Sequence, residues 1–181
     1  EEYNFTTNSD TEVILAAYEK WGAKCVQKFN GMFSFAIWDI EKEELFIARD
    51  RLGIKPFYYS WAEGRFIFSS ELRAILNSGL IDKELDLSSF EEYLLYQSVY
   101  APKTMMKGIL QLMPGHSGYF RKDGSLKIEK YWDIEGVDNL NNIISQGEAV
   151  STLRKKIDKA VKIRMNSNVP LGAFLSGGID S

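Results

Sequence analysis

Apolar residues recur at two periods along the chain, and the switch between them marks the elements. Val13, Ala16, Ala17 and Lys20 fall at helical spacing, with Ile14, Leu15 and Tyr18 widening the apolar side. Ser9 followed by Glu12 reads as a capping box, so the pattern predicts a helix from about 11 to 21, stopped by Gly22. The period then drops to two. Phe33, Phe35 and Ile37 alternate with Ser34, Ala36 and Trp38, which suits a strand buried on both faces. Residues 39–44 form a polar turn, and 45–48 read as the partner strand of a hairpin. A loop over 49–55 follows, then strands over 57–61 and 65–69 around a turn at 62–64. A short helix is expected over 71–77. A second capping box, Ser88 to Glu91, opens another near 89–97. The stretch 101–112 gives no clear period. Strands over 116–120 and 126–132 flank Lys122-Asp123-Gly124, a hairpin signal.

Past residue 133 the texture changes. Asn139, Asn141 and Asn142, with Gly136 and Gly147, mark a linker over 135–147. A third capping box, Ser145 to Glu148, begins a long helix whose stripe is Val150, Leu153, Ile157, Val161 and Met165. Its lysine-rich later half reads as a solvated face. Residues 169–175 are nearly continuous in apolar character and read as a buried parallel strand. The expected organisation is an α+β domain over 1–134, the linker, and the beginning of an α/β nucleotide-binding domain over 148–181.

Composition narrows the function. The 181 residues are 45% hydrophobic and 26% charged, which excludes a disordered chain. Lys plus Arg is 22 against 25 Asp plus Glu, net −3, which argues against nucleic acid or an anionic membrane as partner. No apolar run is long enough to cross a bilayer. Cys25 is the single cysteine, so no intrachain disulfide forms, and a reducing, cytoplasmic setting is expected. With no nearby histidine in sequence it reads as a buried free thiol, and His116 as structural. The two ends, Glu1 and Ser181, read as cuts in a longer chain.

Two stretches carry candidate chemistry. The first is Ser176-Gly177-Gly178-Ile179-Asp180-Ser181, directly after the apolar run. Two glycines allow positive φ and let an anion come into contact with backbone N–H groups. Ser176 and Ser181 add hydroxyls, and Asp180 could orient the loop or hold a hydrated Mg²⁺. The bland alternative is a tight turn with a serine-rich exit. No Walker motif is present. The loop resembles the pyrophosphate-binding loop of ATP pyrophosphatase domains. The second stretch is 48–59, Ala-Arg-Asp-Arg-Leu-Gly-Ile-Lys-Pro-Phe-Tyr-Tyr. Read alone, it is a loop pinned by an Arg49–Asp50 hydrogen bond. With Ser9-Asp10-Thr11-Glu12, the 29–36 segment Phe-Asn-Gly-Met-Phe-Ser-Phe-Ala, 68–74, 112–116 and Tyr131-Trp132, it resembles the later part of a class II glutamine amidotransferase domain. The two in this order resemble the glutamine-dependent asparagine synthetase family.

That resemblance implies an N-terminal nucleophile hydrolase fold, an αββα sandwich, incomplete here. It implies that the nucleophilic cysteine, the Asn-Gly oxyanion hole and the arginine for the glutamine carboxylate lie upstream, leaving no catalytic residue in this chain. Asp10 matches the carboxylate that binds the substrate α-amino group, although an acid in the first turn of a helix is also favoured by the dipole alone. Phe174, Leu175, Ser176, Gly177, Gly178, Asp180 and Ser181 match the ATP and pyrophosphate site. The implied reaction is amidation of aspartate through an acyl-adenylate, with ammonia from glutamine. ATP and Mg²⁺ are implied as cofactors and glutamine, aspartate and ATP as partners; a homo-oligomer is left open. The chain by itself is expected to be inactive. Two other readings remain: a fusion of the same build with a different acceptor, and a non-catalytic β-rich module that binds a small ligand or a partner chain.

Overall fold

A computed structural model describes residues 3–62, 64–134, 145–167 and 169–179. The chain divides into two compact units, 1–134 and 135–181.

In the first unit, helix α1 (Asp10–Trp21) begins at Ser9, whose hydroxyl accepts from the Thr11 N–H, and ends at Gly22 with φ 57°. The capping box expected here is only half formed. Glu12 does not reach back to Ser9; its carboxylate accepts from the N–H and hydroxyl of both Thr6 and Thr7, at 2.5–3.0 Å. These bonds, led by the Thr7 hydroxyl, hold its pKa down to about 2. A 3-10 turn, Gly22–Gln27, follows.

Strands β1 (Ser34–Asp39), β2 (Glu44–Arg49), β6 (His116–Arg121) and β7 (Leu126–Lys130) form one antiparallel sheet in the order β1-β2-β6-β7. Strands β3 (Tyr58–Ala62), β4 (Arg65–Ser69) and β5 (Leu110–Gln111) form a second, in the order β4-β3-β5. Period-two alternation on β2 divides the core. Phe46 and Ala48 face Ala17, Tyr18, Cys25 and Val26 of α1 and the 3-10 turn. Leu45 and Ile47 face Phe57, Tyr59 and Leu112, on the side of the second sheet. Phe120 extends that contact, stacking on Phe66 at 4.9 Å. Burying side chains of this size contributes roughly 1.5–3 kcal/mol each. Helix α2 (Leu72–Asn77) lies against β3 and β4 and buries Ile75. The layers are therefore helix, sheet, sheet, helix.

β1 is less enclosed than its pattern predicts. Phe35 and Ile37 pack on one face and Ala36 on the other, but Trp38 is half exposed, because β1 is a rim of its sheet. Helix α3 (Leu87–Tyr96) starts before the expected box. Asp86 is its cap, accepting from the Ser89 N–H at 2.9 Å and from the Ser88 hydroxyl at 2.7 Å. A carboxylate is the stronger acceptor, so Ser88 becomes a donor to the cap.

In the second unit, helix α4 (Gln146–Arg164) carries a full Ser145–Glu148 capping box. Its apolar stripe, including Leu153, Ile157 and Val161, is exposed. The strand expected over 169–175 is not formed. A lone segment has no ladder to join, and the described part of this unit offers no second strand. Most of the proposed linker, residues 135–144, lies outside the described residues.

Cys25 is free and completely buried, as expected, and burial pushes its thiol up to about 11. The native state therefore keeps a proton that the unfolded chain releases nearer 9. Stability from this group is intact below that value and is lost as pH rises toward 11. Native protein at pH 8 should resist iodoacetamide while urea-unfolded protein is alkylated. A Cys25→Ala variant should lose part of the alkaline slope in stability. Fast labelling of folded protein would show the thiol is open.

Candidate functional site

The loop between β2 and β3 is built by two buried charges that do not bond each other. Arg49 donates from Nε to the Lys55 carbonyl (2.8 Å), from Nη1 to Leu112 (2.6 Å) and from Nη2 to Gly53 (2.8 Å). The Asp50 carboxylate accepts from the N–H groups of Leu52, Ile54 and Lys55 at 2.9–3.2 Å. The direct Arg49–Asp50 hydrogen bond expected from sequence is thus replaced by two fans of bonds to backbone. The reason is that a tight loop leaves more backbone groups to satisfy than two side chains bonded together could reach. Burial lowers the Arg49 pKa, and the Asp50 charge opposes that shift. Gly53 has φ 65°, and a Cβ there would stand 2.8 Å from Pro114 Cγ, so glycine is required. Backbone bonds extend the frame. Asp50 N–H donates to Phe33, Gly115 N–H to Asp50, and the Tyr131 hydroxyl to the Arg49 carbonyl at 2.8 Å.

This frame borders a cleft of about 380 Å³. Lys55, Pro56 and Ser70 line it together with Asp10, Thr11, Ile14 and Leu15 of α1 and residues 32–37. The Ser34 hydroxyl donates to the Pro56 carbonyl at 2.9 Å and ties two of the lining segments together. Asp10 is exposed at the first position of α1. Of the two acids in that turn, Glu12 is fully engaged by Thr6 and Thr7. The Asp10 carboxylate has no hydrogen-bond or ion-pair partner among the described residues. A carboxylate lining a largely apolar cleft can receive an ammonium group. The cleft was not legible as a whole, because it is assembled from segments up to 60 residues apart, and of its lining only Asp10 was singled out as a site residue from the sequence.

The terminal loop belongs to the second unit. Phe174 is fully exposed and Leu175 is 82% exposed. The Gly178 N–H donates to the Ser176 hydroxyl at 3.3 Å. Neither Gly177 nor Gly178 takes the left-handed conformation that glycine allows. With the Ser176 hydroxyl as acceptor, the turn closes without it. Among the described residues nothing lies within 4 Å of where a Gly177 Cβ would stand, so that side of the loop is open in the described chain. Asp180 and Ser181 lie outside the described residues. Among the described residues, no group of three His, Cys, Asp or Glu side chains could hold a metal ion. Nor, among them, is any helix long and apolar enough to cross a membrane.

The family described as glutamine amidotransferase domain matches residues 1–132. The chain belongs to that family. The amidotransferase match is followed by a second, to the family described as asparagine synthase, over residues 152–181. An asparagine synthetase [glutamine-hydrolyzing] 3 of Bacillus subtilis is 39% identical over 180 residues, 99% of this chain and 29% of that protein. A putative asparagine synthetase [glutamine-hydrolyzing] 2 of Methanocaldococcus jannaschii is 42% identical over 177 residues, 97% of this chain and 34% of that protein. An amidase, chyE, of Penicillium rubens is 34% identical over 181 residues, 99% of this chain and 26% of that protein. The chain thus spans about a third or less of the length of these relatives. Among solved structures, the glutamine phosphoribosylpyrophosphate amidotransferase of B. subtilis aligns with 74% of this chain and 25% of that one, with TM-score 0.51 and 18% identity. That likeness concerns the fold alone. The amidotransferase unit has the α+β, N-terminal nucleophile hydrolase type of layering expected from the sequence.

Proposed function

We propose that this chain supplies part of the glutamine site and the opening of the nucleotide site of an enzyme that converts aspartate to asparagine. In this reading glutamine gives up its side-chain amide as ammonia. ATP activates the aspartate side-chain carboxylate as an acyl-adenylate with release of pyrophosphate. Ammonia then displaces AMP to give asparagine, and the glutamine that water has hydrolysed is left as glutamate. The observation that carries the reading is the order of the two family matches in one chain, 1–132 and then 152–181.

Within it, Asp10 receives the α-ammonium group of glutamine. Residues 174–178, with Asp180 and Ser181, receive the adenosine and pyrophosphate groups of ATP. Mg²⁺ would neutralise phosphate charge beside Asp180. A cytoplasmic setting goes with the reading, supported by the unpaired thiol of Cys25.

In the full-length protein, Asp10→Ala is expected to raise the KM for glutamine about 10- to 100-fold. Synthesis from added ammonia should stay nearly unchanged, since Asp10 touches only the glutamine. Equal loss of both activities would remove this role. The amidase relative, similar over 99% of the chain, favours a second reading: the same build with another acceptor. Aspartate-dependent ATP–pyrophosphate exchange separates the two, because a different acceptor leaves aspartate without effect.

A further inference from the structure

We infer that Lys55 is a second determinant of substrate selection in the cleft, binding the α-carboxylate of the amino acid whose ammonium group meets Asp10. The inference rests on the glutamine reading of the cleft and assigns a residue that this reading leaves unused. Among the described lining residues only two are charged, Asp10 and Lys55. Everything else is apolar or hydroxylic. A cleft with one anion, one cation and an otherwise uncharged lining matches a zwitterionic head group, whose two charges lie on substituents of one carbon. Neither charge is spent elsewhere: among the described residues neither Asp10 nor Lys55 has an ion-pair partner.

Lys55 is also held where such a role requires it. Its N–H donates to Asp50 Oδ2 at 2.9 Å, its carbonyl accepts from Arg49 Nε at 2.8 Å, and the next residue is Pro56, whose carbonyl accepts from Ser34. The backbone is thus fixed on both sides of its Cα, and only the side chain adjusts. This also gives the buried Arg49–Asp50 frame a use: it holds the backbone of a cation that lines the same cleft as Asp10. A carboxylate accepts from more than one donor, so an arginine contributed from elsewhere would act with Lys55 and not in its place.

The test uses the full-length protein and three amide substrates: L-glutamine, 4-aminobutanamide, which lacks the α-carboxylate, and glutaramate, which lacks the α-amine. Lys55→Met should lower kcat/KM for glutamine and for glutaramate about 10- to 100-fold, mostly through KM. It should leave 4-aminobutanamide within twofold of wild type, and Lys55→Arg should restore most of the loss. Asp10→Asn should show the opposite pattern, sparing glutaramate. If Asp10→Asn behaves so while Lys55→Met loses all three substrates equally, or none, the carboxylate role is overturned and the glutamine reading stands. If the protein hydrolyses none of the three, that reading falls and the inference with it.

Discussion

Replacing Arg49 by methionine is expected to destabilise the amidotransferase unit by about 3–5 kcal/mol. The guanidinium is buried and donates to three carbonyls, those of Gly53, Lys55 and Leu112. Methionine fills similar volume but leaves those carbonyls without their charged donor, and hydrogen bonds to a charged group contribute about 1.5–3 kcal/mol each before non-additivity. Lysine would not rescue it, since one ammonium cannot reproduce the planar fork. Arg51 is the internal comparison. Its Nη2 reaches the Gln27 carbonyl at 3.2 Å, while its Nε is buried without a partner among the described residues. Arg51→Met therefore removes one weak bond and one unmet donor, and should change stability by less than about 1 kcal/mol. Urea unfolding followed by tryptophan fluorescence reads both. Equal midpoints for the two variants would show that the Arg49 fan does not hold the loop.

Gly177→Val should abolish ATP–pyrophosphate exchange in the full-length protein, by at least about 100-fold, and leave glutamine hydrolysis within twofold. No described protein atom lies within 4 Å of the new Cβ, so valine meets no obstacle in the chain itself. Its branched side chain would stand where phosphate oxygens must approach the backbone. Asp180→Ala tests the other end of the same loop. Unchanged exchange in the Gly177 variant would remove the phosphate assignment from this segment.

The three main hairpins were readable because their signals are local. Alternation identifies β1 with β2, β3 with β4, and β6 with β7, and turn residues such as Gly64 and Gly124 close the latter two with φ 74° and 81°. Gly22 announced the end of α1 in the same way. Where the deciding partner is remote, the sequence was silent or misleading. β5 has two residues and exists because Tyr58 and Tyr59 pair with it. The 101–109 segment beside it is organised by the buried Thr104 hydroxyl on the Met106 and Ile109 carbonyls, which no periodicity reports. Glu12 was assigned to Ser9 by a spacing rule but is captured by Thr6 and Thr7. The 169–175 run has the composition of a strand and no neighbour to pair with among the described residues. At the site, Asp10 was legible through its motif. Lys55, Ser34 and Ser70 lie within segments that carry the resemblance but were not singled out as site residues, because a cleft lined by separate segments leaves no periodic trace.

The two rims of the four-stranded sheet are chemically unlike. β7 reads Leu-Lys-Ile-Glu-Lys, with Lys127 and Glu129 paired at 2.6 Å and both exposed. β1 reads Ser-Phe-Ala-Ile-Trp-Asp, uncharged until its last residue. Charged side chains along a rim discourage an incoming strand, so backbone pairing by another segment is opposed at β7 and unopposed at β1. Any widening of the sheet therefore proceeds from β1, beside the Asp10 cleft, and a newcomer there would border that cleft.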